Sequence, residues 1–163
     1  MTRWFSCLVI LLLVTMTVGS RETASSGKTI KFKSQHVNVV TRSDQVEVGD
    51  EQGHAISLFE AKGLGLRHEG PTEPPYKIEI WGIGDSRGDG TGKGSGYGKF
   101  IFTDGSSYYE RWTSQTADGH NVGTAVYFKG SGRFAGMKGG SKFDCISLGD
   151  RFVCEVEGTI ELP

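Results

Sequence analysis

Residues 127–143 read YFKGSGRFAGMKGGSKF and indicate how this chain folds. An apolar run enters the stretch, a glycine-rich turn follows, and an alternating run leaves it. Glycine at positions 130, 132, 136, 139 and 140 permits positive φ and close backbone approach, which a sharply bent connection between strands requires. One large aromatic side chain, Phe134, lies within the turn. We therefore expect Gly130, Gly132 and Gly136 to shape a structural loop that Phe134 anchors against the core.

The rest of the chain repeats this alternation of short apolar runs and turns. Glycine makes up 25 of the 163 residues and is spread between apolar runs without a fixed period, which excludes collagen and low-complexity sequence. Apolar and polar residues alternate, as in residues 76–81, and no 11-residue window has a helical period. These patterns predict one all-β domain of eight or nine strands. The glycine-rich residues 84–96 are predicted to form a long exposed loop.

The segment from Gly130 to Gly139 resembles a signature of allene oxide cyclase-like and dirigent-like β-barrels, Gly-Ser/Thr-Gly-x-Phe/Tyr-x-Gly-x-x-Gly. The resemblance covers the signature and the hairpins around it, roughly the second half of the chain. It implies a single antiparallel β-barrel of the allene oxide cyclase, dirigent or calycin-like type. Because that superfamily includes cyclases and proteins that guide stereochemistry, the resemblance also implies a small hydrophobic ligand or substrate. A homo-oligomer is compatible with it.

The first twenty residues have the features of a signal peptide. Arg3 supplies a basic start, residues 5–18 are almost entirely apolar, and Val18 and Ser20 suit the −3 and −1 positions of a cleavage site. A membrane anchor is the alternative, but the apolar run is shorter than the roughly 20 residues that a spanning helix needs. We therefore predict a signal peptide over 1–20 with cleavage near Ser20, a mobile polar tail over 21–28 and a barrel domain over 29–163. The protein is then secreted or periplasmic, without stable membrane insertion after processing.

The charged residues do not indicate a nucleic-acid or metal site. The chain carries 18 Lys and Arg against 19 Asp and Glu, and a nucleic-acid binder would show a basic stripe. Histidines 36, 54, 68 and 120 lack the spacing of metal ligands, so they are predicted to be surface or turn residues. No metal and no cofactor is expected.

A hairpin near the C-terminus predicts a disulfide. If Gly149 and Asp150 form a two-residue turn, Cys145 faces Cys154 directly across the two strands. Counting outward from the turn places them in a non-hydrogen-bonded pair with Cα atoms about 4.5 Å apart, within the range that a disulfide accepts. Export to an oxidising compartment then favours a Cys145–Cys154 bridge. On the second strand, even-numbered residues from 152 to 162 are predicted to face the core and to close the barrel.

A second hairpin contains the candidate site. If Asp104 and Gly105 form its turn, Lys99 faces Glu110 and Tyr97 faces Trp112, with Tyr108 on the same face. On an outer face this is a cross-strand ion pair that stabilises by less than about 1 kcal/mol. On an inner face, a carboxylate among aromatic rings would have a raised pKa and could act as a general acid or base. Tyr97, Lys99, Tyr108 and Trp112 are the candidate ligand-binding residues, and Glu110 is the candidate catalytic residue.

Three functions fit the sequence. The first is binding of a small apolar or amphipathic molecule in the barrel, and the second is an isomerase or cyclase that uses the same cavity. The third is a surface interaction or adhesion protein that uses exterior aromatic residues and the 84–96 loop, which contains Arg87-Gly88-Asp89. An interior filled by side chains would favour the third function, and an open cavity that holds a carboxylate would favour the second.

Overall fold

A computed structural model describes residues 27–163, which form one closed antiparallel β-barrel. Each strand pairs with the next in chain order, and the last pairs with the first. The strands are β1 (Lys28–Glu47), β2 (Ala55–Glu69), β3 (Tyr76–Ser86), β4 (Gly92–Ile101), β5 (Ser107–Ala117), β6 (His120–Ser131), β7 (Lys138–Leu148) and β8 (Arg151–Leu162). A single 3-10 turn, Gly132–Phe134, lies between β6 and β7. The prediction of an all-β, eight- or nine-stranded antiparallel barrel is confirmed with eight strands.

The two ends of the barrel differ in how they are filled. The connections β2–β3, β4–β5 and β6–β7 lie at one end, which we call the closed end. The other four connections lie at the opposite end, which we call the open end. Large buried side chains fill the closed half of the interior: Phe32, Tyr76, Ile78, Phe100, Phe102, Tyr108, Tyr127, Phe134, Met137 and Ile160.

Phe134 lies at the centre of the closed end. Its ring is 4.7 Å from that of Phe102 and 5.1 Å from that of Tyr108, measured between centroids, and only 4% of the residue is exposed. Gly132 and Gly136 on either side have φ of +59° and +74°, the region that glycine adopts without steric cost. The loop therefore bends sharply enough to direct the ring of Phe134 into the barrel.

Arg133 links the three connections at the closed end. Its guanidinium donates to Glu73 of the β2–β3 connection at 2.6 Å and lies 3.2 Å from the carboxylate of Asp104 in the β4–β5 connection. The same guanidinium lies over the rings of Phe102 and Phe134, 4.9 and 4.8 Å from their centroids. Cation–π and ionic contacts therefore seal this end over the aromatic core.

The C-terminal hairpin has the predicted register. Cys145 on β7 faces Cys154 on β8, their Cα atoms are 4.0 Å apart, and the two residues form a disulfide. The even-numbered residues of β8 face inward, and β8 pairs with β1 to close the barrel. Both the disulfide and the closure of the barrel by the terminal strand are confirmed.

The predicted register of the β4–β5 hairpin is wrong by one residue. Gly98 faces Glu110, Lys99 faces Tyr109 and Phe100 faces Tyr108, so the proposed Lys99–Glu110 pair does not exist. The reason is a three-residue loop in place of a two-residue turn: the Phe102 N–H donates to the Ser106 carbonyl at 2.9 Å, and Gly105 has φ +81°. A one-residue slip moves every side chain of one strand to the other face.

The predicted loop over 84–96 is mostly strand. Only residues 87–91 connect β3 to β4. Several glycines of the two strands face the barrel interior. A Cβ added to Gly82 or to Gly96 would lie 2.7 Å from Cζ2 of Trp112. These glycines therefore make room for the indole ring, and the segment is ordered by its pairing in the sheet.

Both ends of the described chain lie at the closed end. Lys28 pairs with Leu162, and a Cβ added to Gly136 would lie 3.1 Å from Cγ of Pro163. The predicted signal peptide over 1–20 and most of the predicted tail over 21–28 lie outside the described residues. Within 27–163, no helix is long and apolar enough to cross a membrane.

Candidate functional site

The open half of the barrel contains a cavity of about 300 Å³. Its lining extends from Ser147, one residue from the end of β7, to His36 and Glu110 beside the aromatic core. Its lining residues come from seven of the eight strands: His36, Asn38, Val40, Ser43, Ser57, Phe59, Ile80, Glu110, Trp112, Ser114, Asn121, Ser141, Phe143, Cys145, Ser147, Phe152, Cys154 and Val156. None of these is a lysine or an arginine. The fourth strand, β4, contributes the inward glycines that leave space for the cavity.

Aromatic side chains form much of the cavity wall. The rings of Phe59 and Trp112 lie 6.1 Å apart across the glycines of β3 and β4. Phe143 on β7 and Phe152 on β8 line another part of the wall. Between the last two, the Cys145–Cys154 disulfide also faces the cavity. The wall therefore combines these rings with polar side chains, which make up nine of the eighteen lining residues.

Glu110 is the ionisable carboxyl group of this cavity. It faces inward on β5, between Gly98 of β4 and Tyr127 of β6. Gly98 makes room for it, because a Cβ at that position would lie 2.9 Å from Oε1 of Glu110. Burial raises the pKa of the Glu110 carboxyl group from 4.5 to about 8. The group is consequently protonated at neutral pH and can donate a hydrogen bond or a proton.

His36 lies inside the barrel, which corrects its prediction as a surface or turn residue. Its Nε2 lies 3.0 Å from the Tyr76 hydroxyl and 3.3 Å from Oγ of Ser34. Burial lowers the pKa of His36 to about 3, so the imidazole is neutral over the physiological range. Gly65 of β2 pairs with both His36 and Tyr76, and the absence of a side chain there lets the two groups meet.

Several polar atoms around the cavity have no hydrogen-bond partner among residues 27–163. They include both amide atoms of Asn38, Nε1 of Trp112, Oγ of Ser114 and Oδ1 of Asn121. All four residues line the cavity, and Asn38 is fully buried. Buried polar groups are nearly always hydrogen-bonded, because an unsatisfied one costs about 1–3 kcal/mol. These atoms are donors and acceptors that a molecule in the cavity could satisfy.

The predicted site residues fall on two sides of the sheet. Glu110 and Trp112 line the cavity, and Tyr108 lies beneath it, stacked on Phe100 at 4.7 Å between centroids. Tyr97 faces solvent and is 51% exposed, and Lys99 lies on the outer face over the ring of Tyr109. The structure therefore does not bring Tyr97 and Lys99 to the cavity, because the register differs by one residue.

Most of the cavity wall was not predicted from the sequence. His36 and Asn38 continue the inward alternation that starts at Phe32 and Ser34, and this pattern could have placed them. The inward glycines 92, 94, 96 and 98 also recur at every second position, which is the period of a strand. For Phe59 and Asn121 no comparable local signal exists, because their approach to the cavity depends on how the whole barrel closes.

A polar cluster links two connections at the open rim. His54 is 8% exposed; its Nδ1 lies 2.6 Å from Oδ1 of Asp50 and its Nε2 lies 3.1 Å from Oδ1 of Asp85. The hydrogen bond to Asp50 contributes most to a raised pKa of His54. Beside it, Arg87 donates to Glu51 at 2.5 Å. These contacts connect the β1–β2 turn to the end of β3 and to the β3–β4 connection.

Within 27–163, no three His, Cys, Asp or Glu side chains group as metal ligands.

Comparison with known proteins identifies the fold. No protein-family model and no curated protein matches the chain. The solved structure of the pterocarpan synthase dirigent protein GePTS1 is similar, with a TM-score of 0.51 and 12% identity, and the match covers 96% of this chain and 99% of that one. The attachment invasion locus protein Ail of Yersinia pestis also matches, at 11% identity over 83% of this chain and 98% of that one, but the TM-score of 0.14 carries no structural argument. The chain has a dirigent-like barrel fold, as the glycine signature predicted.

Proposed function

We propose that this protein binds a small apolar or amphipathic molecule inside the barrel. The observation that carries this proposal is the cavity of about 300 Å³, in which unsatisfied polar atoms project from an aromatic wall. Ligand pockets have volumes of about 300–1,000 Å³ and combine apolar walls with a few polar groups that orient the ligand. A cavity at the lower limit of this range suits a molecule of one or two fused rings.

We also propose that the protein acts outside the cytoplasm. The Cys145–Cys154 disulfide and the dirigent-like fold are consistent with an extracellular protein. The apolar N-terminal segment supports export, with cleavage near Ser20. Mass spectrometry of protein recovered from the medium or periplasm should then find an N-terminus close to Arg21. An intact Met1 on that material would contradict the proposal.

Binding can be tested with a neutral fluorescent probe and a matched pair of variants. Prodan, a neutral dye built on the two fused rings of naphthalene, gains fluorescence in an apolar site, and we expect it to bind the wild-type protein. Ser114 faces the cavity, whereas its neighbour Thr113 faces solvent. Ser114→Phe should fill the cavity and weaken binding at least tenfold, and Thr113→Phe should not. Unchanged probe affinity in a folded Ser114→Phe variant would show that the probe binds elsewhere.

An isomerase or cyclase is the second candidate, and Glu110 is the observation that favours it. A carboxyl group with a pKa of about 8 in an apolar cavity is protonated at neutral pH and can act as a general acid. The similar solved structure is named a pterocarpan synthase, but at 12% identity this likeness shows the fold alone.

Chiral chromatography of an unsaturated epoxide that cyclises spontaneously would test this candidate. The wild-type protein should accelerate the cyclisation and enrich one enantiomer of the cyclic product. Glu110→Gln should lose most of this rate increase while it still binds the neutral probe. A racemic product formed at the uncatalysed rate by the wild type would leave binding as the function.

A further inference from the structure

The charge inside the cavity indicates which ligands it accepts, and this inference rests on the proposed binding function. Glu110 is the carboxyl group among the lining residues, and no lysine or arginine accompanies it. The one basic group of the lining, His36, is kept neutral by burial. Within residues 27–163, the carboxyl group of Glu110 therefore has no cation in the cavity to pair with when it ionises.

The groups that surround Glu110 from neighbouring strands do not supply a positive charge either. Tyr76 on β3, Tyr108 on β5 and Tyr127 on β6 are buried phenols, and burial raises the pKa of each above its usual value of 10. Arg67 on β2 lies nearer the closed end than Glu110 does. Its guanidinium packs over the ring of Phe32 at 4.6 Å and pairs with Glu73 at 3.7 Å.

The aromatic wall adds a second attraction for a cation. The faces of aromatic rings attract positive charge, Trp most strongly, and more so where water is excluded. Trp112, Phe59, Phe143 and Phe152 all line the same cavity as Glu110. Oδ1 atoms of Asn38 and Asn121, which have no partner among residues 27–163, are acceptors that suit the N–H groups of an ammonium ion.

We propose that the cavity binds a cationic amphiphile, a small primary or secondary amine with an apolar ring, whose ammonium group pairs with the carboxylate of Glu110. The apolar body of such a ligand lies against the aromatic wall, and its charge replaces the counter-ion that the protein lacks. An anionic ligand of the same size is disfavoured, because it finds no cation and meets a carboxyl group instead.

The protonation of Glu110 gives this proposal a pH signature. In the free protein the carboxyl group is mostly protonated below its pKa of about 8, so an ammonium ion must displace that proton in order to pair with it. For an amine that stays protonated over this range, affinity should therefore rise as the pH increases from 6 to 9. Binding below pH 8 should release a proton to the buffer. Affinity for a neutral ligand should not change in this way.

Three indole compounds of nearly equal size provide the test: tryptamine, tryptophol and indole-3-acetate. Isothermal titration calorimetry with the intact folded protein should show that tryptamine binds about ten- to a hundredfold more tightly than tryptophol at pH 9, as expected for a charge-assisted hydrogen bond. Indole-3-acetate should bind more weakly than either. Titrations in two buffers of different ionisation enthalpy should reveal proton release with tryptamine at pH 7.

Glu110→Gln separates the charge from the cavity. This variant should lose the preference for tryptamine and its pH dependence while it retains the affinity for tryptophol, and Glu161→Gln on the outer face of β8 should behave as the wild type. If tryptophol binds as tightly as tryptamine at pH 9, the charge inference is wrong and cavity binding stands. If none of the three compounds binds, cavity binding fails for molecules of this size and the charge inference fails with it.

Discussion

The closed and open halves of this barrel are built from the same strands with the same alternation, yet one is filled and the other contains a cavity. At the closed end, inward positions carry large rings that pack against one another, such as Phe100 against Tyr108 and Phe102 against Phe134, with centroids 4.7 Å apart in both pairs. Toward the open end, inward positions of β3 and β4 are glycines. The fold therefore depends on the alternation, and side-chain size at inward positions decides where the interior is filled and where it contains a cavity.

The halves also differ in how their polar groups are satisfied. Arg133 at the closed end binds the carboxylates of Glu73 and Asp104. Around the cavity, buried amide and indole nitrogen atoms have no partner among residues 27–163. Buried atoms without a partner among residues 27–163 are therefore concentrated around the cavity, whereas Nε of Arg67 is such an atom near the closed end.

Removal of the ring at the closed end should produce the largest effect. Phe134→Ala leaves a void among packed aromatic side chains and should lower the free energy of unfolding by about 3–5 kcal/mol, measured by urea denaturation. Phe152→Ala at the cavity wall is the matched control. Because Phe152 already borders empty space, it should cost less than half as much. Equal costs for the two variants would contradict the distinction between the two halves.

The carboxyl group in the open half should make stability depend on pH. The folded-state pKa of Glu110 is about 8 and its unperturbed value is 4.5, so the folded state holds a proton that the unfolded state has lost between these values. Stability must therefore fall as the pH rises through this window. Each pKa unit corresponds to about 1.4 kcal/mol. Between pH 4.5 and 7, the free energy of unfolding of the wild type should therefore fall by about 3 kcal/mol relative to that of Glu110→Gln.

The difference in free energy of unfolding between wild type and Glu110→Gln removes the contributions of the other titrating groups. His36 acts in the opposite direction, because its lowered pKa makes stability rise with pH between about 3 and 6.5. The raised pKa of His54 adds stability that is lost at higher pH. Parallel stability curves for the two proteins would mean that Glu110 is not desolvated.

The disulfide in the wall of the open half should contribute a smaller amount. Replacing Cys145 and Cys154 together by alanine removes a cross-link that closes a short loop, with a sequence separation of 9. Chain-entropy arithmetic gives a loss of about 2–3 kcal/mol, which thermal unfolding of the double variant would measure. A loss of less than about 0.5 kcal/mol would show that the β7–β8 hairpin is held without the bond.

The smallest effect is expected at the open rim. Arg87→Ala removes an ion pair with Glu51 in which both side chains are nearly half exposed. Such pairs contribute about 0–1 kcal/mol, and the remaining contacts of His54 still connect the same two chain segments. Urea denaturation of this variant should therefore give a free energy of unfolding close to that of the wild type. A loss above about 2 kcal/mol would show that the rim is as firmly packed as the closed end.

The sequence predicted those parts of the fold that depend on neighbouring residues. The two-residue turn at Gly149 and Asp150 determined which residues pair across β7 and β8, so the position of the disulfide could be read directly. The same reasoning placed Lys99 opposite Glu110 and was wrong, because Asp104 and Gly105 belong to a three-residue loop. The side chain of Asp104 accepts a hydrogen bond from the Ser106 N–H at 2.9 Å and stabilises that loop.

The cavity itself could not be predicted in this way. It exists because inward residues from distant strands, such as Phe59 on β2 and Phe143 on β7, leave space between them when the barrel closes. Glu110 was identified as a candidate from its aromatic neighbours, but the hairpin alone did not show which face of β5 is inward. The extra loop residue then decided that Gly98, and not Lys99, lies opposite Glu110. For Asn38, the alternation within β1 contained the information, although a polar residue in an interior is unusual.

The position of Pro163 has a practical consequence for anyone who wishes to attach this protein to a surface. Pro163 lies at the closed end beside Gly136, so the open end of the barrel is on the far side from a linker joined there. A linker joined to the C-terminus would hold every molecule upright with its open end toward the solution. Immobilised in this orientation, the barrels would form a monolayer with their open ends toward the solution.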